Sequence, residues 1–210
     1  MTAINDVDHL VYASPDLRTG VERIETLLGV RATPGGQHPG AGTRNALVAL
    51  GPNCYLEIIG PDPDQPEPEK PRMFGIDDLS GPRLVTWAAR STNLEELVAG
   101  ALPQGVKLGE ISSGNRTTPE GVRLAWRFTN PRTVIAGGIV PFFIDWGETL
   151  HPAQTAGQGA ALVDLRAEHP NAEEVQKTLR SLGLRISVVR QPDAALVATI
   201  ESPRGTVELS

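Results

Sequence analysis

Two side chains in this sequence could together support metal or proton chemistry: His9 and Glu57. His9 opens the run HLVYA and shares a strand face with Val11 and Ala13; Glu57, in CYLEIIG, shares one with Tyr55 and Ile59. A neutral imidazole ligates Zn, Fe, Mn or Ni, and it also serves as a general base near neutral pH. A carboxylate between apolar neighbours is costly to bury unless it meets a cation or several hydrogen-bond donors. Asp145, in PFFIDWG, is a second carboxylate in the same kind of setting, and His151 follows in an irregular segment from which it could swing back as a further ligand. His38 lies in GGQHPGAG, read as a flexible loop roofing a binding cup, with Arg44 and Asn45 beyond it suited to a substrate carboxylate or carbonyl. Trp87, Phe143 and Trp146 would line such a cup with apolar surface. His169, just before the helix-capping residue Asn171, reads as structural, and Cys54 as a small buried apolar residue.

The elements that must position these groups recur along the chain. Asp8–Val30, Val85–Val106 and Asp164–Leu184 each read as a short apolar strand, a polar helix start, about three amphipathic turns, then Gly and an apolar residue. Leu17, Leu94 and Ala172 are spaced by 77 and 78 residues, and Gly29, Gly105 and Gly183 by 76 and 78, the mark of a repeated supersecondary unit. Asn93 with Glu96 and Asn171 with Glu174 fit capping boxes, while Ser14 is placed to cap the first helix with Pro15 at its first position. Strand signals follow each helix: Thr43–Leu50 and Cys54–Gly60 around a Gly-Pro-Asn turn, then Val122–Thr129 and Pro141–Gly147, then Ala194–Glu201 and Thr206–Leu209. Each unit is read as β-α-β-β-β, these strands being two of the three that follow the helix. The fold class predicted is α+β, with paired βαβββ modules over about 1–70 and 71–155 and a shorter third module over 156–210. The third has Asp164 and Glu208 where the first has His9 and Glu57, and is expected to be structural.

Bulk properties narrow the functions. A net charge of −6 with scattered arginines gives no footprint for nucleic acid. No apolar run is long enough for a membrane span, the N-terminus lacks signal-peptide features, and a single cysteine leaves no intramolecular disulfide; a cytoplasmic protein is the expectation.

A strand opening in Asp8-His9, a capped helix and a hairpin ending in Tyr55-Leu56-Glu57 resemble the glyoxalase-like, or vicinal oxygen chelate, superfamily. The stretch His38–Asn45 (HPGAGTRN), the Pro141–Gly147 strand (PFFIDWG) and the His151-Pro152 that follows resemble the glyoxalase-like domain proteins within it. The resemblance covers almost the whole chain. It implies a half-open curled sheet with helices outside and a divalent ion held between two modules. Carried over position by position, His9 and Glu57 fall on two ligand places and Asp145 on a third, while Thr86 stands where a ligand is usual and His151 could replace it. The implied activity is a metal-dependent lyase, isomerase or dioxygenase acting on a small oxygenated metabolite, with Glu57, Asp145 or His38 moving protons. Thr86 favours the alternative, a metal-free protein that sequesters a small molecule; an enzyme using His9 or His38 as a base without metal is a third reading. A homodimer is the assembly to test for.

Overall fold

The computed structural model describes residues 3–118 and 121–210. The first unit runs β1 (Val7–Ala13), α1 (Leu17–Leu28), β2 (Thr33–His38), β3 (Thr43–Gly51) and β4 (Cys54–Pro61). The second runs β5 (Arg83–Arg90), α2 (Leu94–Ala101), β6 (Ile111–Thr117), β7 (Arg123–Thr129) and β8 (Phe142–Asp145). These eight strands form one sheet in the order β2-β3-β4-β1-β5-β8-β7-β6. β1 pairs parallel with β4 and β5 parallel with β8, while β1 and β5 meet antiparallel at the centre. The two units are thus related by a pseudo-twofold axis through the β1–β5 seam, as a sequence repeat of this kind predicts.

Period-2 alternation sorts the side chains between two faces. Leu10, Tyr12, Leu56, Ile58 and Trp87 enter the main core, where Ile24 and Leu28 of α1 and Leu94 of α2 meet them. His9, Val11 and Ala13 take the other face, which the sheet curls around. The curl brings the outer strands together: Arg116 of β6 donates to the Gly35 carbonyl of β2. A Cβ on Gly36, at φ 140°, would lie 2.8 Å from the Thr117 carbonyl, so the seam admits only glycine there.

The third unit, β9 (Ala161–Glu168), α3 (Ala172–Ser181), β10 (Ser187–Val189), β11 (Ala195–Ser202) and β12 (Gly205–Leu209), forms its own four-stranded sheet. Its Leu165, Leu179, Ala198 and Ile200 join the same apolar core as the helices. Glu208 is held by Arg166 at 2.7 Å and Asp164 is exposed. Among the described residues no helix is long and apolar enough to cross a membrane.

Three local expectations need correction. The α1 cap is Asp16, whose carboxylate accepts from the Thr19 amide at 2.7 Å; Ser14 instead donates to the Asp16 carbonyl. Asn93 does cap α2, but the Asn171 side chain makes no capping bond, and its own amide donates to His169 Nδ1 at 3.0 Å. The glycine-rich stretch holding His38 is a strand, not a loop: Gly36, Gln37 and His38 pair in register with Asn45, Arg44 and Thr43. Its glycines leave little hydrophobic alternation to read, and tertiary pairing overrides their weak strand propensity.

Candidate functional site

The concave face lines a cup open at one side. His9, His38, Asn45, Glu57 and Arg116 form its polar end; Phe74, Trp126, Phe128, Phe142, Ile144 and Trp146 form an apolar wall.

His9 and Glu57 come from neighbouring strands, and both side chains are buried. His9 Nε2 and Glu57 Oε2 stand 3.9 Å apart, facing one another beyond hydrogen-bond range. The His9 ring stacks on Tyr55, centroids 4.6 Å apart at 18°, and meets the edge of Phe142. Burial, with Asp8 and Glu57 adding to it, lifts the Tyr55 phenol well above its ordinary range, so it stays protonated.

A pairing shift between Val7 and His9 marks a bulge at Asp8. Asp8, fully buried, accepts from His9 Nδ1 at 2.8 Å, His151 Nε2 at 3.2 Å and Trp146 Nε1 at 3.1 Å. Burial opposes ionisation of this carboxyl, but the hydrogen bonds from His151 and His9, and then their charge, prevail and hold its pKa far below the usual range. An ionised Asp8 can only accept, so His9 carries a proton on Nδ1, and the neutral ring presents its Nε2 lone pair to the cup.

A second chain of bonds fixes the other side of Glu57. The Asn45 amide donates to Glu57 Oε1 at 2.6 Å and lies 3.3 Å from His38 Nε2, whose Nδ1 is 3.0 Å from Thr43 Oγ1. Burial lowers the His38 pKa and Arg116 adds to that, against the pull of Glu57 and Asp62, so the ring is neutral and accepts at Nε2. Glu57 therefore lies between two imidazoles, 3.8 Å from His38 Nε2, with one oxygen tied down and the other facing His9.

Several expected site residues lie elsewhere. Trp87 is fully buried in the helix-side core, its indole N–H donating to the Ile139 carbonyl at 2.8 Å. Phe143 points into the same core, and its neighbour Phe142 faces the cup instead. Asp145 falls on the wrong side of β8 by the same one-residue step: it pairs opposite Arg127 and accepts from the Gly147 amide at 2.9 Å, while Ile144 takes the cup position. His151 uses both ring nitrogens, Nε2 toward Asp8 and Nδ1 accepting from Ala153 at 3.3 Å, and so is no ligand. Arg44 is engaged at the surface by Asp64 and Asp62. Cys54 is buried, and desolvation raises its thiol pKa to about 12. The chain's own signals for the residues overlooked were uneven. Asp8 stood beside His9 in plain view; Phe142 needed the correct strand parity; Arg116 lies in a stretch with no readable alternation.

The donor set does not fit the four-ligand ion that the resemblance implies. The first unit supplies His9 and Glu57, but in the second Phe142, which pairs with Ala88 as Glu57 pairs with Val11, is apolar, and the Thr86 hydroxyl donates to the Gly138 carbonyl at 2.9 Å. Among the described residues no group of three or more His, Cys, Asp or Glu side chains could hold a metal ion.

Several solved structures are similar to this chain. A hypothetical protein from Staphylococcus aureus superposes with a TM-score of 0.63 at 14% identity, over 96% of this chain and 83% of that one. Methylmalonyl-CoA epimerase from Mycobacterium tuberculosis gives 0.45 at 20% identity, covering 70% and 91%. A variant of the Streptomyces coelicolor epimerase in complex with 2-nitronate-propionyl-CoA gives 0.45 at 17%, covering 70% and 97%. No curated protein matches the sequence. The family model described as a glyoxalase-like domain matches residues 7–183, from the strand carrying His9 through the third helix; with the paired βαβββ units and their shared cup, this makes the chain a member of the glyoxalase-like domain family.

Proposed function

We propose that the cup binds a small oxygenated molecule with an apolar body and moves a proton at a carbon beside its carbonyl, as an isomerase or lyase does. The observation that carries this reading is the gap between two bases: the His9 Nε2 lone pair and the free Glu57 oxygen face each other at 3.9 Å. Two acceptors held that way gain from a group with hydrogen to give, and the gap opens onto the cup. Glu57 takes the proton while the C–H electron pair passes onto the carbonyl oxygen. Return of a proton to carbon from the acid form of Glu57 or His9 completes an isomerisation, and expulsion of a leaving group from the next carbon completes an elimination. Asp8 fixes the tautomer that makes His9 a base, and Asn45 fixes the carboxylate. A metal-dependent version, dioxygenase chemistry included, needs ligands that the second unit does not bring.

Phe142 and the aromatic wall, where the second unit could have supplied a ligand, favour a second reading: a protein that only sequesters its ligand. The two separate on one measurement. A panel of small 2-oxo and 2-hydroxy acids and their esters is held with the protein in D2O and followed by proton NMR. Loss of a C–H signal with the native chain, slowed by about 10²–10⁴ in Glu57→Gln and His9→Ala, is the expected result. Ligands that bind yet keep every C–H would establish sequestration. One equivalent of a transition metal in the purified protein, lost on His9→Ala, would overturn the metal-free chemistry.

A further inference from the structure

Arg116 is the one Lys or Arg in the lining of the cup, and its residue is only 4% exposed. Its guanidinium donates to the Gly35 carbonyl and makes no ion pair with any Asp or Glu among the described residues. Its remaining N–H donors meet no protein acceptor among the described residues, so a positive charge in the lining of the cup rests against a single carbonyl. A buried guanidinium without a counter-charge is expensive, because desolvation is not offset by attraction. Other buried or half-buried arginines of this chain are treated differently: Arg72 holds Asp77 and Glu67 at 2.7 and 2.9 Å, and Arg166 holds Glu208.

Its position is as informative as its isolation. Gly35 carries no side chain, and both Arg116 and the Asn45 carboxamide lie against it; a Cβ there would fall 2.1 Å from Asn45 Oδ1. The guanidinium is thereby placed beside the Asn45–Glu57 pair, and Glu57 acts on it electrostatically. It also lines a second cavity on its far side, with Thr33, Leu47, Leu124 and Leu150.

We infer that Arg116 is the anchor for a carboxylate on the ligand, and that the substrate class is a small carboxylic acid whose apolar body lies along Trp126, Phe128 and Phe142. This rests on the proton-transfer reading only for what happens next: a carboxylate on Arg116 sets the adjoining carbons beside Glu57 and His9. The planar guanidinium fork matches two carboxylate oxygens, and a lone arginine with no second cation in the lining suits one carboxylate better than a phosphate dianion. Arg116 would then be a specificity residue, in addition to latching β6 to β2.

Binding alone tests this, so its outcome is independent of turnover. Trp126 and Trp146 border the cup, and of the three tryptophans only Trp87 is remote from it, so indole fluorescence reports occupancy. Phenylacetate, phenylacetamide and phenyl phosphate are titrated into native protein, Arg116→Gln, Arg116→Lys and Glu57→Gln. The acid is expected to bind about tenfold more tightly than the amide in native protein. That preference should vanish in R116Q, return in part in R116K, and persist in E57Q. Equal affinity for acid and amide, no acid bound at about 10 mM, a preference unchanged in R116Q, or tighter R116-dependent binding of the phosphate would each overturn the inference. Should R116Q fail to fold, R116K carries the comparison, since a mere latch would lower stability and leave the acid-to-amide ratio alone. An acid preference without C–H exchange would remove the proposed reaction and keep the anchor.

Discussion

Replacing Asp8 with Asn exchanges one oxygen for an NH2 at the centre of the site, and its consequences follow from the bonds around it. The carboxylate is fully buried and accepts from three ring N–H groups, those of His9, His151 and Trp146. An asparagine offers one acceptor oxygen and an NH2 that must point at a ring nitrogen, so at least one donor is left facing a donor or a ring must change tautomer. Hydrogen bonds to a charged acceptor contribute about 1.5–3 kcal/mol each; losing the charge and one such bond costs about 2–4 kcal/mol. For a chain of this length that is a drop of roughly 4–16 °C in Tm. The chemical effect is sharper. If His9 Nδ1 becomes the acceptor, its proton moves to Nε2 and the lone pair facing Glu57 is gone, which lowers turnover by about 10⁴ when a base is switched to the wrong tautomer. Long-range proton–nitrogen NMR of the imidazoles reads this without a substrate: His9 is the Nδ1–H tautomer in the native chain and the Nε2–H tautomer in Asp8→Asn. The stability gap should also depend on pH. Asp8 is depressed in the folded state, so its contribution is present above the unfolded value of 3.8 and erodes as pH falls below it; the two stability curves converge in acid. A variant that keeps the Nδ1–H tautomer and melts within about 2 °C of native would refute the account of Asp8.

Two further outcomes check the remaining geometry. Burial lowers the folded pKa of His38 below its ordinary 6.5, so unfolding takes up a proton there and native stability declines as pH falls below 6.5, by up to about 1.4 kcal/mol per pH unit. His38→Gln should flatten that decline in chemical denaturation at pH 5 to 7 (roughly the window for an unperturbed imidazole), and an unchanged slope would show that another group titrates. Trp87→Phe removes the donor to the Ile139 carbonyl and should destabilise by about 1–3 kcal/mol while leaving ligand affinity in the cup within about twofold; a large affinity loss would put Trp87 back in the site.

What could be read from the sequence was decided by where pattern and neighbours agree. The repeat and the His9–Glu57 meeting were legible because two strands with strong alternation flank a well-marked helix and hairpin. Arg116 was not, since ISSGNRT has polar residues on both faces and its partner is a carbonyl on a glycine-rich strand far off in sequence. His38 was recognised as interesting but assigned to a loop, for the same want of pattern. Asp8 belongs to the Asp8-His9 motif, yet its bulge, which turns a helix-side residue toward two imidazoles, has no local signature.

The errors on β8 have one cause, and it bears on function. Reading Phe143-Ile144-Asp145 against Tyr55-Leu56-Glu57 places an acid opposite an acid, but β8 begins at Phe142 and its register against β5 and β7 puts Phe142 and Ile144 in the cup. A slip by an odd number of residues exchanges every side chain between faces, so it sends Asp145 outward and leaves Phe142, paired with Ala88 as Glu57 is with Val11, at the place of a ligand. The two units are therefore alike in backbone and opposite in chemistry. The first carries the imidazoles and the buried carboxylates; the second carries the aromatic wall and, on its outermost strand, one unpaired cation. On the function proposed above, a site divided in that way would grip the apolar body and the charge of a small acid from one half and present bases from the other.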